Sequence, residues 1–283
     1  MQDVALSWQQ AAWLTAGLAA GATLLTLAPG RWRVIAPFAR ETTMIAGLYS
    51  LWQLAGTLSV LGTDGAFSRA RWLERTERTL HLPSEASLQH ATTGKSSALA
   101  QGANLYYATM HFGVLFVFLL WLFLRHRDRY RPLRRVLALT TLVCLLIQLI
   151  PVAPPRLLPD AGYVDTAREY GQSVYNAFGA DELSAMPSVH VAWAVLVGWA
   201  TWTIGRGVGR WLGPVHAVLT ILVVVITANH FWADGIVAVA VLVVCAGAER
   251  AGRVAVMAVQ ARFQSRRIEP ERLSGEPEQA ILR

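Results

Sequence analysis

The sequence predicts an all-α, polytopic membrane protein, and three observations predict it. Hydrophobic residues make up 54% of the 283-residue chain and charged residues only 15%, whereas soluble domains carry about a quarter charged residues. Several apolar runs reach ~20 residues, enough helix to cross the hydrocarbon core of a bilayer. The net charge of +7 comes almost wholly from arginine, Lys95 being the single lysine. These arginines gather in short loops between the apolar runs, as topology signals do. That distribution excludes nucleic acid as the partner of the positive charge and makes the bilayer the first partner. Cys144 and Cys245 lie inside apolar runs without paired spacing and read as small hydrophobes, not as a disulfide or metal site.

In chain order, spans are predicted at 11–27, 43–62, 105–124, 135–151, 188–204, 211–228 and 231–249. The first is rich in Ala and Gly and ends at Pro29-Gly30, a strong breaker pair. Met1-Gln-Asp-Val lacks the basic region of a signal peptide, so this run is expected to stay as a helix. From Trp211 to Cys245 there is no Lys or Arg, a run too long for one crossing. A tight turn at 227–230 divides it and brings Thr227, Asn229, His230 and Asp234 to one membrane face.

Two connections are long. Residues 63–104 mix charges with apolar positions and predict an amphipathic helix on the outer surface, then a flexible Thr/Ser/Gly stretch. The segment lines a lateral access route for a lipid or simply covers the surface. The second connection, 152–186, carries Pro154-Pro155-Arg156. The chain thus divides into a first helix with its cytoplasmic loop (1–42), a membrane domain (43–249) and a basic tail (250–283). The tail is expected to begin as an amphipathic helix and to end disordered. There is no internal repeat and no second soluble domain.

Orientation follows from arginine. Arg31, Arg33 and Arg40, six arginines from Arg125 to Arg135, Arg206 with Arg210, and Arg250, Arg253, Arg262, Arg266 and Arg267 all fall on one side if the spans alternate. That side is the cytoplasm. His190, His230, Asp234 and Arg156 then converge on the opposite, extracytoplasmic face, and a multi-pass plasma-membrane protein is expected.

The chemistry centres on Ala185-Met186-Pro187-Ser188-Val189-His190. Proline is favoured in the first turn of a helix, and the free amides and positive dipole end of a helix start suit an anion. A hydroxyl and an imidazole placed there fit a phosphate ester better than a carbonyl. His230 and Asp234, at i and i+4, share a helical face. The carboxylate would fix the imidazole tautomer and leave the other nitrogen to attack, making His230 the nucleophile and Asp234 its orienter. His190 would protonate the leaving oxygen. Arg156 would hold non-bridging oxygens through its planar fork, and Ser188 would complete the cradle. Replacing His230 or Asp234 should abolish turnover.

Asn104, Tyr107 and His111 recur at i, i+3 and i+7 near the same depth and are candidates for the substrate head group. An interhelical hydrogen-bond network is the more ordinary role for such a set. His81, His90, His126 and His216 read as interfacial filling. A zinc site on His190, His230 and Asp234 lacks any HExxH or cysteine pair to support it, so neither metal nor cofactor is expected. The competing class is a transporter or assembly subunit. A transporter would place its polar groups near the bilayer midplane, whereas these cluster at one face.

Pro187-Ser-Val-His190 and His230-x-x-x-Asp234 resemble the type 2 phosphatidic acid phosphatase superfamily, whose signatures are Lys-x6-Arg-Pro, Pro-Ser-Gly-His and Ser-Arg-x5-His-x3-Asp. Val189 replaces Gly, Val223 and Val224 stand at the Ser-Arg positions, and Leu149 and Leu157 flank Arg156 where Lys and Pro belong. The resemblance covers roughly 104–249. It implies a six-helix transmembrane core plus one extra N-terminal helix, and phosphoryl transfer from a lipid-linked phosphate ester through a phosphohistidine. The departures resemble the inositol phosphorylceramide synthase branch, which keeps Ala153-Pro-Pro155 and the two histidines without the extra cations. That branch moves a phospho-inositol head group onto a lipid alcohol. A phosphomonoester carries about two negative charges and a diester one, so a site short of two cations matches the diester. Head-group transfer is therefore favoured over plain lipid phosphate or isoprenyl diphosphate hydrolysis.

Overall fold

The computed structural model describes residues 6–59, 65–172 and 182–273. Ten helices are named here: α1 (Trp8–Leu27), α2 (Ala36–Ser59), α3 (Ala66–Thr79), α4 (Glu85–Ala91), α5 (Ser97–Arg125), α6 (Arg127–Gln148), α7 (Thr166–Glu169), α8 (Val189–Ile204), α9 (Leu212–Ile226) and α10 (Trp232–Leu273). Among the described residues the β-structure is one isolated bridge between Val152 and Ser184. Among the described residues four stretches are long and apolar enough to cross a membrane: Trp8–Leu27, Ser97–Arg125, Gly207–Ile226 and Trp232–Ala261.

Local chemistry sets the helix starts. Ser7 and Gln10 form a reciprocal capping box on α1, Ser96 caps α5, and Ser188 caps α8. Each supplies an oxygen to an amide that has no partner within its helix. The core joins α5, α6, α8 and α10 through Phe118, Leu122, Leu133, Leu137, Leu196, Val197 and Leu242. Outward faces carry large apolar groups such as Phe116, Val117, Leu146, Trp199, Val218 and Val243. A face of that kind is stable against lipid and not against water. Helices α8 and α9 approach closely at small residues, where a Cβ on Gly198 would lie 3.2 Å from that of Ala217. The α1–α2 hairpin meets the bundle through the Arg134–Glu41 ion pair and the edge contact of Phe38 with Phe123.

Several sequence expectations need correction. The third span opens at Ser97, not 105, because Ser96 supplies an N-cap that hydrophobicity alone does not reveal. The stretch expected to be flexible after α3 forms α4 and a 3-10 turn at Thr93–Lys95. It is held by side chains: Gln89 bonds both backbone groups of Val164 at 2.9 Å, and Thr93 donates to the Ile226 carbonyl at 3.0 Å. Pro187 precedes the N-cap of α8 instead of occupying its first turn, and its peptide bond is cis. Helix α10 continues unbroken through the basic tail to Leu273, while the expected disordered end at 274–283 lies outside the described residues. The turn dividing the last apolar run falls where expected, between Ile226 and Trp232, with Ala228 in the left-handed region at φ 52°.

Both long connections meet at one end of the bundle. Arg69 donates to the Pro151 carbonyl at 2.7 Å, and Trp232 Nε1 to that of Pro83 at 2.8 Å. Ala66, Ala70 and Leu73 of α3 bury against Val152, Ala153, Leu158, Ala185 and Phe231.

Candidate active site

Two helix starts are fastened together at this end. The Ser188 amide donates to the Asp234 carbonyl at 3.1 Å, so the openings of α8 and α10 form one rigid corner. The Ser188 hydroxyl oxygen caps α8 by accepting from the Val191 amide at 3.4 Å.

His230 sits in this corner, buried. Its Nδ1 lies 2.8 Å from the Ala185 carbonyl oxygen and 3.3 Å from Asp234 Oδ2. A carbonyl oxygen only accepts, so Nδ1 carries the proton and Nε2 is the free base in the neutral ring. Nε2 is buried and has no hydrogen-bond partner among the described residues. Asp234 is fully buried, and its Oδ2 also accepts from the Phe231 amide at 2.9 Å. Thus one carboxylate closes the first turn of α10 and orients the imidazole.

His190 arrives from α8 with its ring centroid 5.7 Å from that of His230. Tyr107 and His111 of α5 pack on its other side at 4.7 and 4.2 Å. The Nδ1 atoms of His111 and His190 are both buried without a partner among the described residues. Beside them, Tyr106, Tyr107, His111, His190, Thr220, Val223 and Val224 line a cavity of about 10 Å³, room for roughly one water. Val223 and Val224 belong to an apolar cluster with Ala103, Tyr107 and Val191, which leaves no place for the absent Ser-Arg pair.

Arg156 is buried in the loop between α6 and α7. Its amide donates to the Ala228 carbonyl at 2.9 Å, its Nε to Asn229 Oδ1 at 2.9 Å, and it pairs with Asp165 at 3.2 Å. The guanidinium is therefore moored to the residue that precedes His230. Asn104 is engaged elsewhere: it donates to Gln172 at 3.2 Å and accepts from Thr166 at 3.1 Å, joining α5 to the loop around α7. Of the remaining histidines, His90 meets the Gly162 carbonyl at 2.8 Å, His216 meets Tyr106 at 2.7 Å, and His126 packs against Trp121.

Sequence reasoning missed four groups at this end. The Ala185 carbonyl is a backbone group with no signal in residue type. Asp165 stands among ordinary loop charges. Glu77 and Glu85 lie in the segment expected as an amphipathic surface helix and a flexible stretch, yet both are buried. They accept from the Ala233 amide at 2.6 Å and the Trp232 amide at 3.4 Å. Burial, and then the neighbouring Glu85 carboxyl, push the Glu77 carboxyl up to about 9. Among the described residues no three His, Cys, Asp or Glu side chains are grouped to hold a metal ion.

Fold and site together define a helical membrane protein with a buried imidazole–carboxylate centre at one end of its bundle. The family model of the PAP2 superfamily matches residues 71–248, more than half of the chain, and the chain belongs to that superfamily. Members of the superfamily are phosphoesterases. The match begins within α3, so α1 and α2 lie outside it. No curated protein and no solved structure matches the chain.

Proposed function

We propose that the chain is a membrane lipid phosphatase or phosphotransferase working through phospho-His230 at the extracytoplasmic face of the plasma membrane. The observation that carries this reading is the 2.8 Å contact of His230 Nδ1 with the Ala185 carbonyl, an acceptor that calls for the proton on Nδ1 and so leaves Nε2 a lone pair. In the first step Nε2 attacks phosphorus, the P–O bond to the leaving group breaks, and His190 protonates the departing oxygen. In the second step His190 takes the proton of an incoming hydroxyl, that oxygen attacks phosphorus, and the P–N bond breaks to restore His230.

Arg156 and Ser188 bind the phosphoryl oxygens in this scheme, with the amides that open α8. Support for Arg156 is its burial beside Asn229 and its backbone tie to Ala228. Tyr107 and His111 reach the site by packing on His190, whereas the bonds of Asn104 to Gln172 and Thr166 favour a structural role for it. The missing cations favour a diester donor and transfer of its head group, as the departures from the superfamily signatures imply. Plain hydrolysis is the second reading. The cavity of about 10 Å³ beside His190 favours it, because it admits a water and no alcohol chain.

The test is to give the purified protein labelled phosphatidate, isoprenyl diphosphate, and phosphatidylinositol with a lipid alcohol, scoring inorganic phosphate against new lipid. Acid-labile label on the wild-type protein and its absence from His230→Ala are expected, with turnover of the variant down by at least ~10³-fold. Wild-type amounts of product from His230→Ala would remove the mechanism.

A further inference from the structure

Three carboxylates converge on the first turn of α10, and only one of them belongs to that helix. Asp234 accepts from the Phe231 amide, Glu85 of α4 from the Trp232 amide, and Glu77 of α3 from the Ala233 amide. Helix starts leave such amides without internal partners, and an acceptor here also meets the positive end of the dipole. What is unusual is that two acceptors come from a surface segment far off in sequence. The Glu85 carboxyl lies near enough to Glu77 to favour its protonated form. Glu77 Oε2 is buried with no hydrogen-bond partner among the described residues. A proton shared with Glu85 would give Oε2 a partner. Among the described residues no cation offsets the group. Asp234 faces it from α10, and Tyr163 faces it from the loop before α7. On α3 itself, Arg78 is already paired with Glu74 at 2.7 Å.

We infer that Glu77 and Glu85 are positioning residues for the reaction: a proton-sharing carboxyl pair that clamps α3 and α4 onto the first turn of α10 and so fixes the pose of His230. The role assigned to His230 above is assumed in this step, although the clamp itself is a physical contact that stands apart from it. Neither side chain touches the imidazole. They act through the amides of Trp232 and Ala233, one turn of helix that also contains Asp234.

The pH dependence has a definite sign. Glu77 goes from an ordinary value of 4.5 to about 9 in the folded chain. Its contribution to stability is therefore complete below about 4.5 and is lost as pH rises through about 9, the unfolded chain releasing first a proton that the folded chain keeps. Above that range Glu77 loses its proton in acidic, buried surroundings and the clamp opens.

The experiment uses the full chain in lipid nanodiscs and two readouts, amide hydrogen exchange over 229–236 and turnover against pH. Glu77→Ala should raise exchange at Trp232 and Ala233 about tenfold and lower kcat ~10–100-fold with little change in KM. Glu77→Gln keeps an acceptor for Ala233 and a permanent N–H donor for Glu85. It should recover most of the protection and turnover and abolish the alkaline loss expected of the wild type near pH 9. Unchanged exchange in Glu77→Ala would overturn the clamp. An alkaline loss in Glu77→Gln equal to that of the wild type would overturn the shared proton. Protection that follows this pattern in a protein with no turnover on any lipid phosphate would support the clamp and sink the phosphoryl-transfer reading instead.

Discussion

Replacing Asp234 by Asn separates two duties of one carboxylate. Oδ2 accepts from the Phe231 amide at 2.9 Å and from His230 Nδ1 at 3.3 Å. An asparagine carbonyl still accepts from Phe231, so the helix start survives. His230 keeps its shorter bond to the Ala185 carbonyl, 2.8 Å, so the tautomer with Nε2 free also survives. What disappears is the negative charge that stabilises the imidazole as phosphorus binds and positive charge develops. A hydrogen bond to a charged group is worth about 1.5–3 kcal/mol, and each 1.36 kcal/mol of barrier is tenfold in rate. Turnover of Asp234→Asn should therefore fall roughly 10- to 200-fold, short of the abolition expected from the i, i+4 spacing alone. The measurement is the single-turnover rate of phosphohistidine formation with labelled lipid, alongside KM, which should move little because Asp234 does not touch substrate. A fall of ~10⁴-fold is what results when a carboxylate alone selects the tautomer, and it would refute the role given to the Ala185 carbonyl. An unchanged rate would refute Asp234 as orienter.

Two further outcomes are expected. A Cβ on Gly213 would overlap Thr201 Oγ1 and lie 2.9 Å from the Val197 carbonyl oxygen, so Gly213→Val should destabilise the α8–α9 pair by ~1–3 kcal/mol. A thermal melt in detergent checks this, and an unshifted midpoint would mean that the two helices do not approach as described. Turnover should persist in a strong chelator, whereas loss on chelation with recovery on added zinc would replace the phosphohistidine by a metal-bound nucleophile.

Much of this arrangement was legible in the sequence because bilayer and helix geometry act on residue type. Apolar length marked the helices, and arginine placement gathered His190, His230, Asp234 and Arg156 at one end. What the sequence concealed obeys other rules. Hydrophobicity set the third span at 105, but Ser96 begins it at Ser97 by capping, which costs no apolar residue. Glu77 and Glu85 carry the charge of solvent-exposed side chains, and only the approach of α3 and α4 to α10 turns them into buried caps. Asn104, Tyr107 and His111 share a face by periodicity, yet two of them pack on His190 and the third bonds Gln172 and Thr166. Periodicity fixes direction around the helix axis and says nothing of what stands opposite.

Charge balance at the site bears on the choice of donor more strongly than the signatures do. Arg156 is moored beside His230 through Asn229, and Asp165 pairs with it at 3.2 Å. The positions where a second arginine and a serine would stand hold Val223 and Val224, both committed to an apolar cluster. The first turn of α10 offers a natural anion site, but Asp234, Glu77 and Glu85 already occupy its amides. An arriving phosphate thus meets the start of α8, a guanidinium whose charge is largely offset, and acidic surroundings on the α10 side. Desolvating a second negative charge without a matching cation is costly. A monoester brings that second charge and a diester does not, so this balance supports the proposed phosphodiester donor over a monoester.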